Sequence, residues 1–402
     1  MTSSEFTRGL LAEGRDTKIL LVVVDGLGGL PDPRTGKSEL DAARLPHLDA
    51  LAASGSCGLI SPLGPGFTPG SGPAHLALFG YDPWVHQIGR GALSAMGLGL
   101  DFRAGDVAAR LNFCTVDAQG RVTDRRAGRI PTEKCRELCA KLGAIRIPGV
   151  EVAVAAEMEY RAAVVFRGAG LEDEVGDSDP QVTGVPPHVL EARGKASARM
   201  VEVANTFLDQ ARQLLAGEQP ANMVLIRGFG RYPVLPQMGE VYGLRSLAVA
   251  GYPMYRGVAS AVGMETVETD WHLDQELEVL RSHWDGCDFA YLHVKKTDSA
   301  GEDGNFELKV KVLEEVDHYV PQMLELKPEV FILTGDHSTP SIMRSHSWHP
   351  VPLVLKSPWA MPDGLPGFAE RHCRSGSLGL MPSTRVMALA LAHARRLEKF
   401  GA

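Results

Sequence analysis

The sequence predicts an α/β fold in which helices flank a mostly parallel sheet, with a smaller α+β domain inserted into the chain. Short apolar runs without the alternation of half-exposed strands recur along the sequence, and such runs are typical of strands buried in a parallel sheet. Helical patterns separate these runs, and strand alternating with helix indicates a doubly wound domain. The middle of the chain contains hairpin patterns instead, which predict antiparallel strands.

The main domain is predicted from its apolar runs and from the helices between them. The runs are Lys18–Val24, Met223–Ile226, Leu247–Ala250, Phe289–Val294, Val330–Thr334 and Val351–Leu355. The helical patterns include Leu273–His283, Leu308–Leu326 and a last amphipathic helix over Thr384–Phe400. Because the apolar runs do not alternate, we expect their sheet to be buried on both faces.

An inserted domain is predicted from two hairpins that lie among helical patterns. The hairpins pair Asp106–Val116 with Arg121–Asp124, and Glu151–Ala155 with Arg161–Arg167. The polar segment Glu172–Pro187 is predicted to be a mobile surface loop. We therefore expect an insert over residues 101–219 between the two parts, 1–100 and 220–402, of one α/β domain.

The composition excludes several classes of function. The chain has 402 residues, 44% of them hydrophobic, and 41 Lys and Arg against 49 Asp and Glu, a formal charge of −8. This acidic balance without basic runs predicts no nucleic-acid partner and no anionic membrane partner. No apolar stretch approaches the roughly 20 residues of a membrane span. The charged N-terminus predicts no signal peptide, and the 6 cysteines form no disulfide framework, so a cytoplasmic protein is expected. Its oligomeric state is left open.

Carboxylates and histidines follow three of the predicted strands and occupy one further loop. They are Asp25, Asp298, Glu302, Asp336, His337 and His346. Ligands in open α/β sheets bind outside the carboxyl ends of the strands, so we expect these side chains to converge. Their oxygen and nitrogen donors suit Mn²⁺, Zn²⁺ or Mg²⁺ and are numerous enough for two ions. Taken alone, Asp25 is more typical of a helix N-cap than of a metal ligand.

A serine stands between glycines and prolines in the segment Thr68–His75, just before an apolar helical pattern. This places Ser71 at or next to a helix N-terminus, where backbone N–H groups stabilise phosphate. A serine is a weak nucleophile unless a base or a metal activates it. A simple N-cap is the alternative for Ser71, and His75, on the same side of the helix, is expected to orient its neighbours or to contact substrate.

Arginines supply candidate anion contacts. Arg125, Arg126 and Arg129 lie close together within the predicted insert, and a guanidinium pairs two-pronged with phosphate or carboxylate. An exposed, salt-bridged face is the alternative. Weaker candidates stand beside glycines, which let the backbone approach a ligand. These are Arg90, Arg227 and Arg256.

Several of these elements occur in an order that resembles a known family. The elements are Asp25-Gly26, Gly-Ser-x-x-Ala-His at 70–75, Thr-Asp-x-Ala-Gly-x-Asp-Gly at 297–304, Thr-Gly-Asp-His-Ser-Thr-Pro at 334–340 and His-Ser-x-x-Pro-Val-Pro at 346–352. They resemble those of the archaeal-type 2,3-bisphosphoglycerate-independent phosphoglycerate mutases, within the alkaline phosphatase superfamily. Segments 89–91, 112–117 and 124–129 also fit, so the resemblance spans nearly the whole chain.

The resemblance implies a metal-binding, phosphatase-like α/β domain and a smaller cap or substrate domain. It makes Ser71 the nucleophile that accepts the phosphoryl group, and it assigns ligands to two ions. One ion would be held by Asp25, Ser71, Asp336 and His337, and the other by Asp298, the residue at position 302 and His346. The implied reaction interconverts 3-phosphoglycerate and 2-phosphoglycerate without 2,3-bisphosphoglycerate. The implied partner is thus a small phosphorylated substrate. In this reaction Arg125, Arg126 and Arg129 would hold the glycerate carboxylate and exclude water.

The chain departs from the resemblance at position 302, where the archaeal members are expected to have histidine and this sequence has Glu302. An oxygen donor there favours Mn²⁺ or Mg²⁺ over Zn²⁺, and Mn²⁺ is our first expectation. Asp303 is the alternative ligand. A metal-dependent phosphatase or another phosphotransferase is the alternative activity, and a metal- and phosphate-binding module without turnover is a second alternative.

Overall fold

Two separate sheets organise the chain in the computed structural model, which describes residues 7–401 apart from residues 13 and 15. One compact unit contains the residues up to Gln87 and from Pro236 onward, and the other contains Ile88–Leu235. Residues 1–6 lie outside the described residues. The prediction that the N-terminus is not a signal peptide falls partly on these residues. Among the described helices, none has the length and apolar character that crossing a membrane requires.

The strands and helices of the described residues are numbered here in chain order. The strands are β1 (Ile19–Val24), β2 (Ser56–Ser61), β3 (Val107–Val116), β4 (Val122–Asp124), β5 (Glu151–Met158), β6 (Arg161–Arg167), β7 (Met223–Arg231), β8 (Ser246–Val249), β9 (Glu265–Val267), β10 (Phe289–Val294), β11 (Val330–Thr334), β12 (Val351–Lys356) and β13 (Gly379–Pro382). The helices are α1 (Glu39–Ala42), α2 (Pro46–Ser54), α3 (Ser71–Leu78), α4 (Arg90–Gly97), α5 (Thr132–Leu142), α6 (Ala198–Leu215), α7 (Met238–Tyr242), α8 (Pro253–Ala261), α9 (Leu273–His283), α10 (Lys296–Glu302), α11 (Phe306–Leu324), α12 (Glu370–Cys373) and α13 (Val386–His393). Short 3₁₀ helices cover Ala127–Arg129, Trp284–Gly286 and Ser383–Arg385.

The first unit is built on a mostly parallel sheet, which confirms the predicted fold class. Its strand order is β13-β2-β12-β11-β1-β10-β8-β9. Strand β1 is parallel to both of its neighbours, β10 and β11, whereas β12 is antiparallel to β11 and β2. Every residue of β1 and β10 is buried, as expected for strands that are covered on both faces.

The register of the central strands brings their carboxyl ends to one edge of the sheet. Val24 of β1 lies opposite Val294 of β10, and Val23 lies opposite Thr334 of β11. The residues that directly follow these strands therefore meet at the same edge, where ligands bind in open α/β sheets.

The second unit is an antiparallel sheet packed against helices. Its strands follow the order β4-β3-β6-β5, and β7 also pairs with β3. Phe113 of β3, Leu138 of α5 and Phe207 of α6 belong to one apolar core. Both hairpins expected from the sequence are present, β3 with β4 and β5 with β6.

The strand predicted at Met223–Ile226 belongs to this second sheet, so its assignment to the main parallel sheet was wrong. Strand β7 runs antiparallel to β3, with Ile226 opposite Leu111. A continuous apolar run is consistent with a buried strand of either kind, and its pattern does not distinguish them. Helix α4 also packs on β3, so the second unit spans Ile88–Leu235 and is wider than the predicted 101–219.

Two further segments differ from their predicted form. The segment Glu172–Pro187 contains no helix or strand, but Ser178 and Asp179 within it are buried, so it is not simply a surface loop. The last helix covers Val386–His393 and not Thr384–Phe400. The backbone leaves the right-handed helical region at Arg395, where φ is 56°.

Candidate active site

Three buried side chains that follow β1 and β11 form one cluster at the carboxyl edge of the sheet. Ligand atoms of Asp25, Asp336 and His337 all lie within 4.8 Å of one another. His337 Nε2 is 3.5 Å from Asp25 Oδ1 and 3.2 Å from Asp336 Oδ2. Among the described residues, neither Asp25 Oδ1 nor Asp336 Oδ2 has a hydrogen-bond partner. Buried carboxylate oxygens without partners are strongly unfavourable unless a cation compensates them, so the cluster fits a divalent ion.

The pKa shifts in this cluster are also consistent with a divalent-ion site. Burial would raise the pKa of Asp25, but the neighbouring Lys295 ammonium holds that pKa well below its ordinary value. Burial and the nearby charge of Asp25 raise the pKa of Asp336 well above its ordinary value. Burial also lowers the pKa of His337, which leaves the ring neutral and able to bind a metal.

A second cluster shares His337 and adds residues from α10 and from the loop after β11. Asp298, His337 and His346 also offer ligand atoms within 4.8 Å of one another. The His346 ring stacks on His337 with centroids 3.7 Å apart, and its Nε2 lies 3.5 Å from Asp298 Oδ1. His346 Nδ1 is 2.9 Å from the carbonyl of Pro69. Because a carbonyl only accepts, Nδ1 carries the proton and Nε2 is left as a donor atom for a metal.

Glu302 stands at the rim of the second cluster. Its Oε1 is 3.7 Å from His346 Nε2, and its side chain is 56% exposed. Burial and the charge of Asp298 raise the pKa of Glu302. Asp303 follows the end of α10 and is exposed. Of the two acidic residues, Glu302 is therefore the one that faces the histidine.

Ser71 is the first residue of α3, and Gly70 is the N-cap, so the simple N-cap interpretation of Ser71 was wrong. Its Oγ lies 3.3 Å from His337 Nε2 and 3.5 Å from the hydroxyl of Tyr255. The chain thus places a serine hydroxyl beside the shared histidine of both clusters and at the positive end of a helix.

His75 lies inside the protein, behind the first cluster. Its Nδ1 is 2.8 Å from the Ser71 carbonyl and 3.4 Å from Asp336 Oδ2. The side chain is 0% exposed, and burial lowers the pKa of His75 to about 3. This position suits an orienting role and is at odds with the predicted contact to substrate.

Arg256 does not fit its predicted role in substrate binding either. Its guanidinium donates to the carbonyls of Ala250 and Gly251, at 3.1 and 2.9 Å, and the residue is buried. Burial lowers the pKa of Arg256. The side chain holds the backbone that follows β8, a role that a glycine-flanked arginine does not reveal in sequence.

Lys295 and Tyr255, which both contact Asp25, were missed from the sequence. Lys295 Nζ lies 3.0 Å from Asp25 Oδ2 and pairs with Asp298 as well, so one ammonium contacts a carboxylate of each cluster. The Tyr255 hydroxyl donates to Asp25, and its ring stacks on His293 at 3.6 Å. A lysine directly after a strand end was visible as a signal, whereas nothing in the pattern marked Tyr255.

The second unit contains its own group of arginines. Arg125 makes a two-pronged pair with Asp179, both bonds being 2.8 Å, and Arg227 lies 3.4 Å from the same carboxylate. Arg227 lies opposite Arg110 in the pairing of β7 with β3. Burial and the charges of Arg110, Arg90 and Arg125 lower the pKa of Arg227. Arg227 Nε is buried and has no hydrogen-bond partner among the described residues.

The three arginines that were predicted to act together, Arg125, Arg126 and Arg129, have different surroundings. Arg126 and Arg129 are exposed, and Arg129 lies 3.7 Å from Glu159. Arg125 alone of the three points into the group with Arg227. Arg227 was only a weak candidate from its sequence, since its link to Arg125 depends on the pairing of β7 with β3.

Clusters of buried carboxylates and histidines around a helix-initial serine define a potential divalent-metal centre, a type of site used for phosphoryl transfer. The model of the 2,3-bisphosphoglycerate-independent phosphoglycerate mutase family matches residues 52–222. A probable enzyme of this name from Thermus thermophilus is 50% identical over 397 residues, covering 98% of each chain. One from Aquifex aeolicus is 46% identical over 402 residues, again covering 98% of each. The chain belongs to this family.

Solved structures support the same family assignment. A Pyrococcus horikoshii protein superposes with a TM-score of 0.84 at 28% identity, covering 97% of this chain and 100% of its own. A cofactor-independent phosphoglycerate mutase from Thermoplasma acidophilum superposes with a TM-score of 0.68 at 30% identity, covering 94% and 100%. The predicted family and the predicted enzyme class, an isomerase, are confirmed.

Proposed function

We propose that this protein interconverts 3-phosphoglycerate and 2-phosphoglycerate through a phosphoserine at Ser71, without 2,3-bisphosphoglycerate. The observation that carries the proposal is the position of Ser71 Oγ, 3.3 Å from His337 Nε2, where both carboxylate–histidine clusters meet. Family membership supports the choice of phosphoglycerate as the substrate. The reaction would serve glycolysis and gluconeogenesis, and the composition supports a cytoplasmic location for it.

The donor set supports two divalent ions, with Mn²⁺ as our first choice and Mg²⁺ or Zn²⁺ as alternatives. Asp25, Ser71, Asp336 and His337 would hold one ion, and Asp298, Glu302 and His346 would hold the other. When bound, such ions would lower the pKa of the serine hydroxyl and neutralise charge on the transferring group.

In the first step, Ser71 Oγ attacks phosphorus and loses its proton. The bond between phosphorus and the substrate oxygen breaks, and that oxygen takes up a proton to give glycerate. The first N–H groups of α3 and the Lys295 ammonium supply positive charge for the phosphoryl oxygens. In the second step the other glycerate hydroxyl loses its proton and attacks the phosphorus of the phosphoserine. The bond between phosphorus and Ser71 Oγ breaks, Oγ takes up a proton, and the isomer is released.

Glycerate must stay bound between the two steps, because water in its place would turn the mutase into a phosphatase. The carboxylate of glycerate needs a cationic partner, and a guanidinium binds it two-pronged. In the second unit, Arg125 and Arg227 are our first candidates, with Arg90 beside them. Arg126 and Arg129 are exposed and remain candidates for contacts at the rim.

The test is the reaction itself. We expect purified protein that contains Mn²⁺ to convert 3-phosphoglycerate into 2-phosphoglycerate in the absence of bisphosphoglycerate. Phosphorus NMR monitors this conversion. Ser71→Ala should abolish conversion, whereas Ser357→Ala, a buried serine in a remote hydrogen bond with His393, should not. Release of phosphate faster than formation of the isomer would instead show a phosphatase.

A further inference from the structure

The hydroxyl of Thr339 lies between the two carboxylate–histidine clusters. Its Oγ1 is 2.7 Å from Asp298 Oδ1 and 3.0 Å from His337 Nδ1. Thr339 is 0% exposed, so its hydrogen bonds must be made inside the protein. One side chain therefore joins the carboxylate that belongs to the second cluster with the histidine that belongs to both.

The direction of these bonds follows from counting protons. Asp298 also pairs with the Lys295 ammonium, and an ionised carboxylate only accepts hydrogen bonds. The Thr339 hydroxyl has one proton and must donate it to Asp298. It can then only accept from His337, which requires the proton of the neutral imidazole to be on Nδ1.

This tautomer leaves the other ring nitrogen with a free lone pair in the reactive part of the site. His337 Nε2 lies 3.2 Å from Asp336 Oδ2 and 3.3 Å from Ser71 Oγ. A metal-binding histidine needs its second nitrogen held in this way, because the partner of the N–H sets both the tautomer and the ring orientation.

The loops around Thr339 leave space for it. A Cβ atom added to Gly26 would lie 2.5 Å from Thr339 Oγ1, and one added to Gly301 would lie 2.9 Å from Thr339 Cγ2. Gly26 directly follows Asp25, and Gly301 directly precedes Glu302. Both ligand-bearing segments thus carry a glycine at the point where the threonine approaches.

The backbone of Thr339 is fixed as well. The buried Lys309 ammonium donates to the carbonyls of Thr339 and Gly28, at 2.8 and 3.0 Å. The Thr339 N–H donates to Gly28 at 3.0 Å. With the backbone held and χ1 stiff in a β-branched residue, the hydroxyl is aimed before any ligand binds.

We propose that Thr339 is a positioning residue of the two-metal centre, which fixes the tautomer of His337 and the orientation of Asp298 with one hydroxyl. The proposal rests on the proposed function in that the clusters hold divalent ions. It assigns to this threonine a role in metal affinity that is separate from packing.

The direct test is the tautomer of His337 in metal-free wild-type protein labelled with ¹⁵N-histidine. We expect two-bond proton–nitrogen correlations to show the proton on Nδ1, with the His337 signals identified by their loss in His337→Asn. A proton on Nε2 would overturn the proposal, and this measurement requires no change at Thr339.

The second test is Mn²⁺ titration by calorimetry. Thr339→Val keeps the shape and removes the hydroxyl, and we expect about 10- to 100-fold weaker binding. Thr339→Ser restores the hydroxyl and should recover most of the affinity. Ser357→Ala removes a remote hydroxyl–histidine bond and should bind as wild type. Wild-type affinity in Thr339→Val, or equal losses in Thr339→Val and Thr339→Ser, would contradict the proposal.

Two controls separate the possible failures. Thermal midpoints of the metal-free variants show whether Thr339→Val folds, and if it does not, Thr339→Ser and the tautomer of the wild type decide. Neither test uses the mutase reaction. A wild-type protein that binds Mn²⁺ but does not form 2-phosphoglycerate would refute the proposed function and leave the role of Thr339 standing.

Discussion

At the scale of single residues, Lys295 shows how the site balances charge. Its ammonium contacts Asp25 and Asp298, so it links carboxylates assigned to different ions. The sequence predicted the acidic and histidine residues because they follow strand ends, which is a rule about topology. It could not predict the contacts of Lys295, Tyr255 and Thr339, since these depend on which loops face each other across the edge.

Replacing Lys295 with methionine should destabilise the metal-free protein at neutral pH by about 3 kcal/mol, because it leaves a buried carboxylate without its counter-ion. Urea unfolding measures the change. Lys296→Met is the matched control, since its partner Glu315 is 3.6 Å away and both side chains are more than a third exposed. An effect as small as that of the control would show that Lys295 does not stabilise Asp25.

Glu276 gives a prediction for pH. Burial raises the pKa of Glu276 in the folded protein from 4.5 to about 8. Between these values the folded state holds a proton that the unfolded state lacks. The stability from this group is therefore fully present below pH 4.5 and is lost as pH rises through about 8.

Glu276→Gln should remove up to about 1.4 kcal/mol per pH unit from the slope of the unfolding free energy across that range. Its amide oxygen can still accept from the Gly251 N–H, which Glu276 now does at 3.1 Å. Glu278→Gln, on the exposed side of the same helix, should leave the slope as it is. An unchanged slope in Glu276→Gln would mean that the buried carboxyl is ionised throughout.

At the scale of elements, the strands that carry the site were predictable and their surroundings were less so. The runs at β1, β10 and β11 are apolar throughout, which predicts strands buried on both faces of a sheet. These strands lie in the centre of their sheet, where both faces are covered. Strand β7 has the same pattern in an antiparallel sheet, and only the pairing partner distinguishes the two. That error also obscured the grouping of Arg227 with Arg125.

The packing of α4 on β3 can be tested at Gly91. A Cβ atom at this position would lie 2.4 Å from the Ala109 Cα, so Gly91→Ala should push the helix away and cost about 1–3 kcal/mol. Gly217→Ala, in the same unit, meets nothing within 4 Å and should be close to neutral. Equal thermal midpoints for the two variants would contradict this packing.

At the scale of the whole molecule, the proposed function uses residues from two units with different sheets. The first unit contains the serine and both clusters, and the second contains the grouped arginines. In the proposed function, the formal charge of −8 does not oppose an anionic substrate, because the positive charge near the substrate would come from local arginines. The hairpin patterns in the middle of the chain predicted an insert. Its ends could not be predicted, because α4 and β7, which lie outside the predicted bounds, pack against β3 of the same unit.

Metal binding should stabilise the folded chain as a whole. At about 100 times the dissociation constant, Mn²⁺ should add about 2.7 kcal/mol to the unfolding free energy for each site. Asp336→Asn should lose most of this gain for one site, whereas Asp285→Asn, on the surface, should keep it. Urea unfolding with and without Mn²⁺ is the measurement, and no gain in the wild type would contradict the assigned clusters.

The central claim is that Ser71 carries the phosphoryl group during turnover. The most direct measurement adds 3-phosphoglycerate to the Mn²⁺-loaded protein, quenches it with acid within a turnover and locates the modification by peptide mass spectrometry. We expect phosphate on Ser71 in the wild type and none on the same peptide in Ser71→Ala. Isomer formation without a phosphorylated Ser71, or phosphate on another residue, would contradict the account.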